Sequence, residues 1–138
     1  MSPESRVPTR RDAVANRERI LDTAGAYFTA NGLDAPLQGL AGAAKVGTGT
    51  LYRNFASHDG LVQALYERYV AVFDEIAVRA ESEPSGWAGI ELVLRECVPV
   101  LIEIPIVTEV MRRQSVNDPD YRPSERWVGS LTRVVERA

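Results

Sequence analysis

The sequence predicts an all-α fold, and three observations carry that prediction. Two short helical patterns lie close together in residues 36–55, parted only by Lys45, Val46 and Gly47. An apolar stripe at helical spacing then runs unbroken from Leu61 to Ala80. Helical spacing resumes at Trp87, and the one β-branched stretch that would suit a strand, residues 98–107, contains Pro99 and Pro105, which a sheet interior does not tolerate. The expected organisation is a flexible basic arm at residues 1–11, a three-helix head at 12–57, a long linking helix at 58–83 and a helical C-terminal part at 84–138.

Residues 1–11 hold Pro3, Pro8, Arg6, Arg10 and Arg11 without periodicity and read as an arm able to track phosphate or a minor groove, or as a solvated tail. Helical pattern begins near Asp12. Val14, Ile20, Leu21, Ala24, Tyr27 and Phe28 share a face, and Asn31-Gly32 supplies a left-handed stop. In the next helix Leu37, Leu40, Ala41 and Ala44 line one face, with Pro36 at its opening, where a missing N–H is no loss.

Residues 48–55 form the following short helix. Leu51 and Phe55, four apart, face inward, which turns Thr48, Thr50, Tyr52, Arg53 and Asn54 outward. Two helices crossing steeply over a short turn let the second protrude, and the major groove of B-DNA admits a helix. Gly49 keeps its start thin. Thr50 offers a hydroxyl and a methyl, Tyr52 a ring and a phenol, and Arg53 a charge, all of which suit phosphate or base edges. A bare Gly-x-Gly-Thr is more often part of an ordinary helical hairpin; the longer context favours nucleic acid.

Ser57 is the expected N-cap of the long helix, with Asp59 in its first turn. Leu61, Val62, Leu65, Tyr69, Val72, Phe73, Ile76 and Ala80 are its apolar stripe, and residues 81–86, Glu-Ser-Glu-Pro-Ser-Gly, end it. Ile90, Leu94, Val98, Leu101 and Ile102 are the predicted inner face of the next helix, with a kink at Pro99 and a break at Pro105. A shorter helix spans about residues 106–116. Residues 117–123, rich in Asp and Pro, are a loop, and a last helix from Ser124 carries Trp127, Val128, Leu131, Val134 and Val135. That helix stays apolar to Val135 with no stop signal behind it, so the working chain is expected to continue past Ala138.

With 45% hydrophobic residues the chain can build a core, and no run approaches the roughly 18 apolar residues of a membrane span. The single cysteine, Cys97, excludes an intrachain disulfide, and residues 1–9 lack a secretory apolar core, so the expected location is cytoplasmic. Net charge is −3, but residues 1–55 hold seven basic side chains against five acidic, which permits a phosphate-facing head on an acidic body. One histidine, one cysteine and no phosphate loop, nucleophile elbow or metal-spaced cluster speak against an enzyme, and no cofactor is expected. Glu103 and Glu109 read as helix-surface charges.

Taken together, Ile20-Leu21-Asp22-Thr23-Ala24 with Phe28 and Gly32, Leu40-Ala41 with Ala44 and Val46, and Gly49-Thr50-Leu51-Tyr52-Arg53-Asn54-Phe55 with Ser57 and Leu61 resemble the DNA-binding domain of TetR-family transcriptional regulators over about residues 14–65. The resemblance implies a three-helix helix-turn-helix head, a long fourth helix and an all-helical C-terminal domain that binds an effector and dimerises. It also implies a double-stranded DNA operator, repression relieved by a small molecule, and a homodimer. The alternative is a helical ligand-binding or protein-interaction module without DNA binding. The candidate DNA contacts are Lys45, Thr48, Gly49, Thr50, Tyr52, Arg53, Asn54 and His58.

Three departures stand out. Lys45 occupies the place of the family's turn glycine, where φ > 0 would strain it. Gly47 replaces the usual Ser or Thr cap, and Asn54 and His58 replace a common histidine and lysine. Beyond residue 65 the candidates for lining a small, mainly apolar effector are Leu94, Cys97, Val98, Leu101, Met111 and Trp127. Should residues 87–138 build a dimer interface themselves, Trp127, Leu131 and Val135 are its candidates.

Overall fold

A computed structural model describes residues 9–138. Its described residues form seven helices and no strand: α1 Arg10–Asn31, α2 Leu37–Ala43, α3 Thr48–Asn54, α4 His58–Glu81, α5 Gly86–Glu103, α6 Pro105–Asn117 and α7 Glu125–Glu136. They fall into two compact units, one ending at Leu61 and the other Val62–Ala138. Most of the expected arm lies outside the described residues, but Arg10 and Arg11 belong to α1. A capping box starts that helix early: the Thr9 hydroxyl accepts from the Asp12 amide at 3.2 Å, and the Asp12 carboxylate accepts from the Thr9 amide at 3.1 Å.

In the first unit α1 supplies Ile20, Leu21, Ala24 and Phe28 to a core completed by Leu37 and Leu40 of α2, Leu51 of α3, Phe55, and Leu61 at the start of α4. The buried positions of α1 begin at Ile20, so Val14, expected on the same face, is 56% exposed. The Tyr27 phenol donates to the Pro36 carbonyl at 2.6 Å, and its ring lies where a Cβ on Gly39 would stand. Gly32 ends α1 at φ 88°, as its position predicts.

The turn between α2 and α3 is a Schellman motif. Val46 N–H donates to the Ala41 carbonyl at 3.1 Å and Lys45 N–H to the Gly42 carbonyl at 3.2 Å, which places Lys45 at the left-handed position with φ 57°. The conditional expectation of strain is therefore met: an L-residue there costs about 1–2 kcal/mol that glycine avoids. Lys45→Gly should raise the unfolding free energy of this unit by about 0.5–1 kcal/mol once the extra freedom of an unfolded glycine is subtracted. A urea midpoint that stays put would show the strain relieved elsewhere.

In the second unit Ile76 and Ala80 of α4, Leu92 and Cys97 of α5, and Val134 of α7 form a buried cluster, flanked by Phe73, Ile90, Val93 and Trp127. The inner face of α5 departs from expectation. Gly86, Gly89, Leu92 and Cys97 are buried, whereas Leu94 is 58% and Val98 41% exposed, and Leu101 and Ile102 also face outward. Glu91, Arg95, Glu96 and Glu103 still leave α5 a wide apolar surface, and its two glycines fix which part of it goes inward. A Cβ on Gly89 would lie 2.6 Å from the Ala80 carbonyl oxygen and 2.9 Å from a Val134 methyl, and one on Gly86 would overlap the backbone of residues 137 and 138. Backbone approach at the glycines decides which side of α5 goes in.

α5 continues through Pro99 and stops at Glu103, after which Pro105 opens α6. Two ion-pair sets tie the elements. Arg79 of α4 grips Glu96 of α5 with both guanidinium nitrogens, holding the Glu96 carboxyl below the ordinary range. At the end of α4, the Glu81 carboxylate accepts from Arg133 Nε at 2.5 Å and from the buried Ser130 hydroxyl at 2.9 Å, which lower its pKa in that order of importance. Arg137 donates to the Glu81 and Glu83 carbonyls at 2.8 and 2.9 Å, satisfying acceptors a helix C-terminus leaves open.

Candidate functional site

α3 is held by two inward side chains. Leu51 is fully buried and Phe55 nearly so, and the Arg17 guanidinium stacks 4.7 Å over the Phe55 ring. This anchoring leaves Thr48, Gly49, Tyr52 and Arg53 exposed and Thr50 and Asn54 half-buried. Tyr52, 41% exposed, is the one large ring on that face. Gly47 precedes the helix without a side-chain cap, and nothing stands within 4 Å of where its Cβ would be.

The outward side chains are organised among themselves. Arg53 Nη2 donates to the Thr50 hydroxyl at 3.1 Å, and the Asn54 amide donates to the Thr50 carbonyl at 2.9 Å. Arg53 Nη1 lies 3.2 Å from where a Gly49 Cβ would sit. Gly49 thus makes room for the guanidinium to lie back over the first turn of α3, a role the sequence does not show. Lys45 is exposed in the preceding turn.

His58 departs from the other candidates. Its ring meets Phe28 edge-on, with centroids 5.7 Å apart, and its Nε2 donates to the Leu33 carbonyl at 2.6 Å. A carbonyl can only accept, so that nitrogen carries the proton and is committed to the fold. His58 is a strut between the start of α4 and the loop after α1. Asn54 likewise commits its amide N–H to α3 itself.

A family model described as bacterial regulatory proteins, tetR family, matches residues 20–65. Over these residues the chain carries a tetR-family DNA-binding domain. The match runs from Ile20, the first buried position of α1, to Leu65 in α4, and so takes in the anchors, the strained turn and the exposed face of α3. The chain is a DNA-binding transcription regulator. No curated protein and no solved structure matches it.

Outside the matched residues, the second unit contains a cavity of about 250 Å³, partly open to solvent and largely apolar. Four of the six predicted effector-site residues line it: Cys97, Leu101, Met111 and Trp127. Leu94 and Val98 do not, because the glycine face of α5 turns them to solvent. Other lining residues come from α4 and from the loop before α7. Tyr66, Phe73 and Asp74 lie on α4, and Tyr121, Pro123 and Ser124 lie in or at the end of that loop. Phe73 was legible in the apolar stripe of α4; Tyr121, fifty-five residues from Tyr66, carried no signal beyond its loop composition.

Edge-to-face pairs build the walls. Phe73 and Trp127 meet at 5.8 Å between centroids, and Tyr66 and Tyr121 at 6.3 Å. The Tyr66 phenol is pushed well above its ordinary pKa, first by burial and then by its hydrogen bond with Tyr121. Cys97 is also pushed up, chiefly by burial. Among the described residues no group of three or more His, Cys, Asp or Glu is placed to hold a metal, and no helix is long and apolar enough to cross a membrane.

Proposed function

We propose that the chain is a repressor that lays α3 in the major groove of an operator and leaves it when a small, mainly apolar molecule occupies the cavity of the second unit. The exposed face of α3 carries this reading: Thr48, Thr50, Tyr52 and Arg53 stand outward on a helix fixed from behind by Leu51 and Phe55. Lys45 and Gly49 flank them at the approach side. Tyr52 grips backbone, and Arg53 exchanges its bond with Thr50 for a phosphate or a base edge.

Release requires a ligand that prefers one state of a shared element. α4 begins in the first unit and continues through the second, so it is the element through which occupancy reaches α3. A preference of about 1–3 kcal/mol alters operator affinity roughly 5- to 150-fold. Two heads on one DNA face need a two-fold dimer, whose interface draws on the apolar side chains that α5 and α7 turn to solvent, Leu94, Ile102 and Val135 among them.

DNA selected from a random pool, followed by gel shift at several salt concentrations, tests the proposal. Arg53→Ala should reduce the slope of log affinity against log salt by about one, while Tyr52→Ala should weaken binding to all sequences with a smaller change in slope. Unchanged affinity in both variants would remove α3 from the interface and favour a helical ligand-binding or interaction module.

A further inference from the structure

Among the described residues Asp74 is the one charged side chain lining the cavity. It sits half-buried on α4 beside Phe73, and among the described residues its carboxylate takes a single hydrogen bond, from the Ser124 hydroxyl at 2.6 Å. Ser124 is itself fixed, because its oxygen accepts from the Trp127 amide at 3.3 Å and caps α7. Among the described residues no cation pairs with Asp74, in contrast to Glu81 and Glu96 of the same unit, each of which holds an arginine. Its negative charge adds, after burial and Tyr121, to the upward shift of the Tyr66 phenol.

This half-buried carboxylate beside an apolar space keeps water as its solvent and has no counter-charge among the described residues. A neutral guest would strip water from it without compensation, and an anion would be repelled. A cation on an apolar body meets both features, with its charge at Asp74 and its hydrocarbon against Phe73, Leu101, Met111 and Trp127. Ring faces also attract cations, and four aromatic side chains line the same cavity as this carboxylate. The Ser124 bond keeps Asp74 oriented before any ligand arrives, which reduces the ordering that binding requires.

We propose that the effector is a small organic cation, a protonated amine on an apolar or aromatic body, and that Asp74 is the residue that selects its charge. This rests on reading the cavity as the effector site. The geometry demands one charge rather than several, since a second would face apolar wall.

Isothermal titration of the full chain with three probes of matched shape, 4-phenylbutylamine, 4-phenylbutan-1-ol and 4-phenylbutyrate, tests it near neutral pH. The amine should bind about tenfold or more tighter than the alcohol, and the carboxylate weakest. In Asp74→Asn, which keeps an acceptor for Ser124, the alcohol should bind as before and the amine should lose its advantage. Equal or tighter binding of the alcohol by the unaltered chain overturns the charge assignment while leaving the cavity as a ligand site. An amine advantage that survives Asp74→Asn also overturns it. Failure of all three probes to bind removes the effector-site reading, and the charge assignment with it. Should Asp74→Asn not fold, the ratio of amine to alcohol on the unaltered chain decides alone.

Discussion

Replacing Phe28 by alanine should lower the stability of the DNA-binding unit by about 3–5 kcal/mol, the range for emptying a buried aromatic site. Phe28 is completely buried, with Tyr27 at 5.4 Å on one side and the edge-on His58 ring at 5.7 Å on another. The site cannot collapse cheaply: Tyr27 is held by its bond to Pro36 and His58 by its bond to Leu33. A loss of that size is comparable to the whole stability of many small domains, so the fraction of heads able to bind DNA should fall with it. Urea unfolding followed by helical signal measures the effect, and Phe28→Leu should retain much of what alanine loses. A cost below about 1 kcal/mol would mean that the surrounding rings close over the space.

Gly89→Ala should destabilise the second unit by about 1–3 kcal/mol, opposite in sign to what helix propensity alone predicts. An exposed glycine inside a helix ordinarily gains up to about 1 kcal/mol on becoming alanine. At Gly89 the added carbon would meet the Ala80 carbonyl and a Val134 methyl, and the carbonyl belongs to the backbone of α4 and cannot rotate away. Gly129 in α7 supplies the comparison. Its nearest neighbour would be the end of the flexible Arg133 side chain at 3.4 Å, so Gly129→Ala should be neutral or stabilising. Thermal unfolding of the two variants side by side distinguishes local packing from propensity; stabilisation by both would show that α5 shifts away from α4 and α7 without cost.

Much of the head was legible because its signals are local. Gly32, Pro36 and Ser57 mark ends that the structure keeps, and Leu51 and Phe55 are buried as their spacing requires. Even the strain at Lys45 could be read as a condition, which φ 57° then fulfils. The start of α1 was missed although Thr9 and Asp12 spell a capping box, because Pro8 and the arginines around it suggested an arm. The structural part of His58 is hidden for a different reason: its partners, Phe28 and Leu33, are distant in sequence, and only folding brings them to it.

The second unit was harder because its decisive contacts are not periodic. In α5 the apolar surface is wider than the face that is buried, and the choice of inner face falls to the clearance at Gly86 and Gly89, which no count of hydrophobic residues records. Asp74 was passed over on the flank of an apolar stripe, and its meaning depends on a serine fifty residues away. Charge and aromaticity in α4 and the loop before α7 combine only once the chain has folded.

Cys97 is the chain's only thiol, and it lies on the cavity wall with its ionisation suppressed by burial. Thiol reagents attack the thiolate, so a disulfide dye added in excess acts as a clock with a single hand: each labelled molecule records one opening of the wall. No competing cysteine contributes background. The native chain can therefore time the breathing of its own interior, with any guest in the cavity visible as a slower tick.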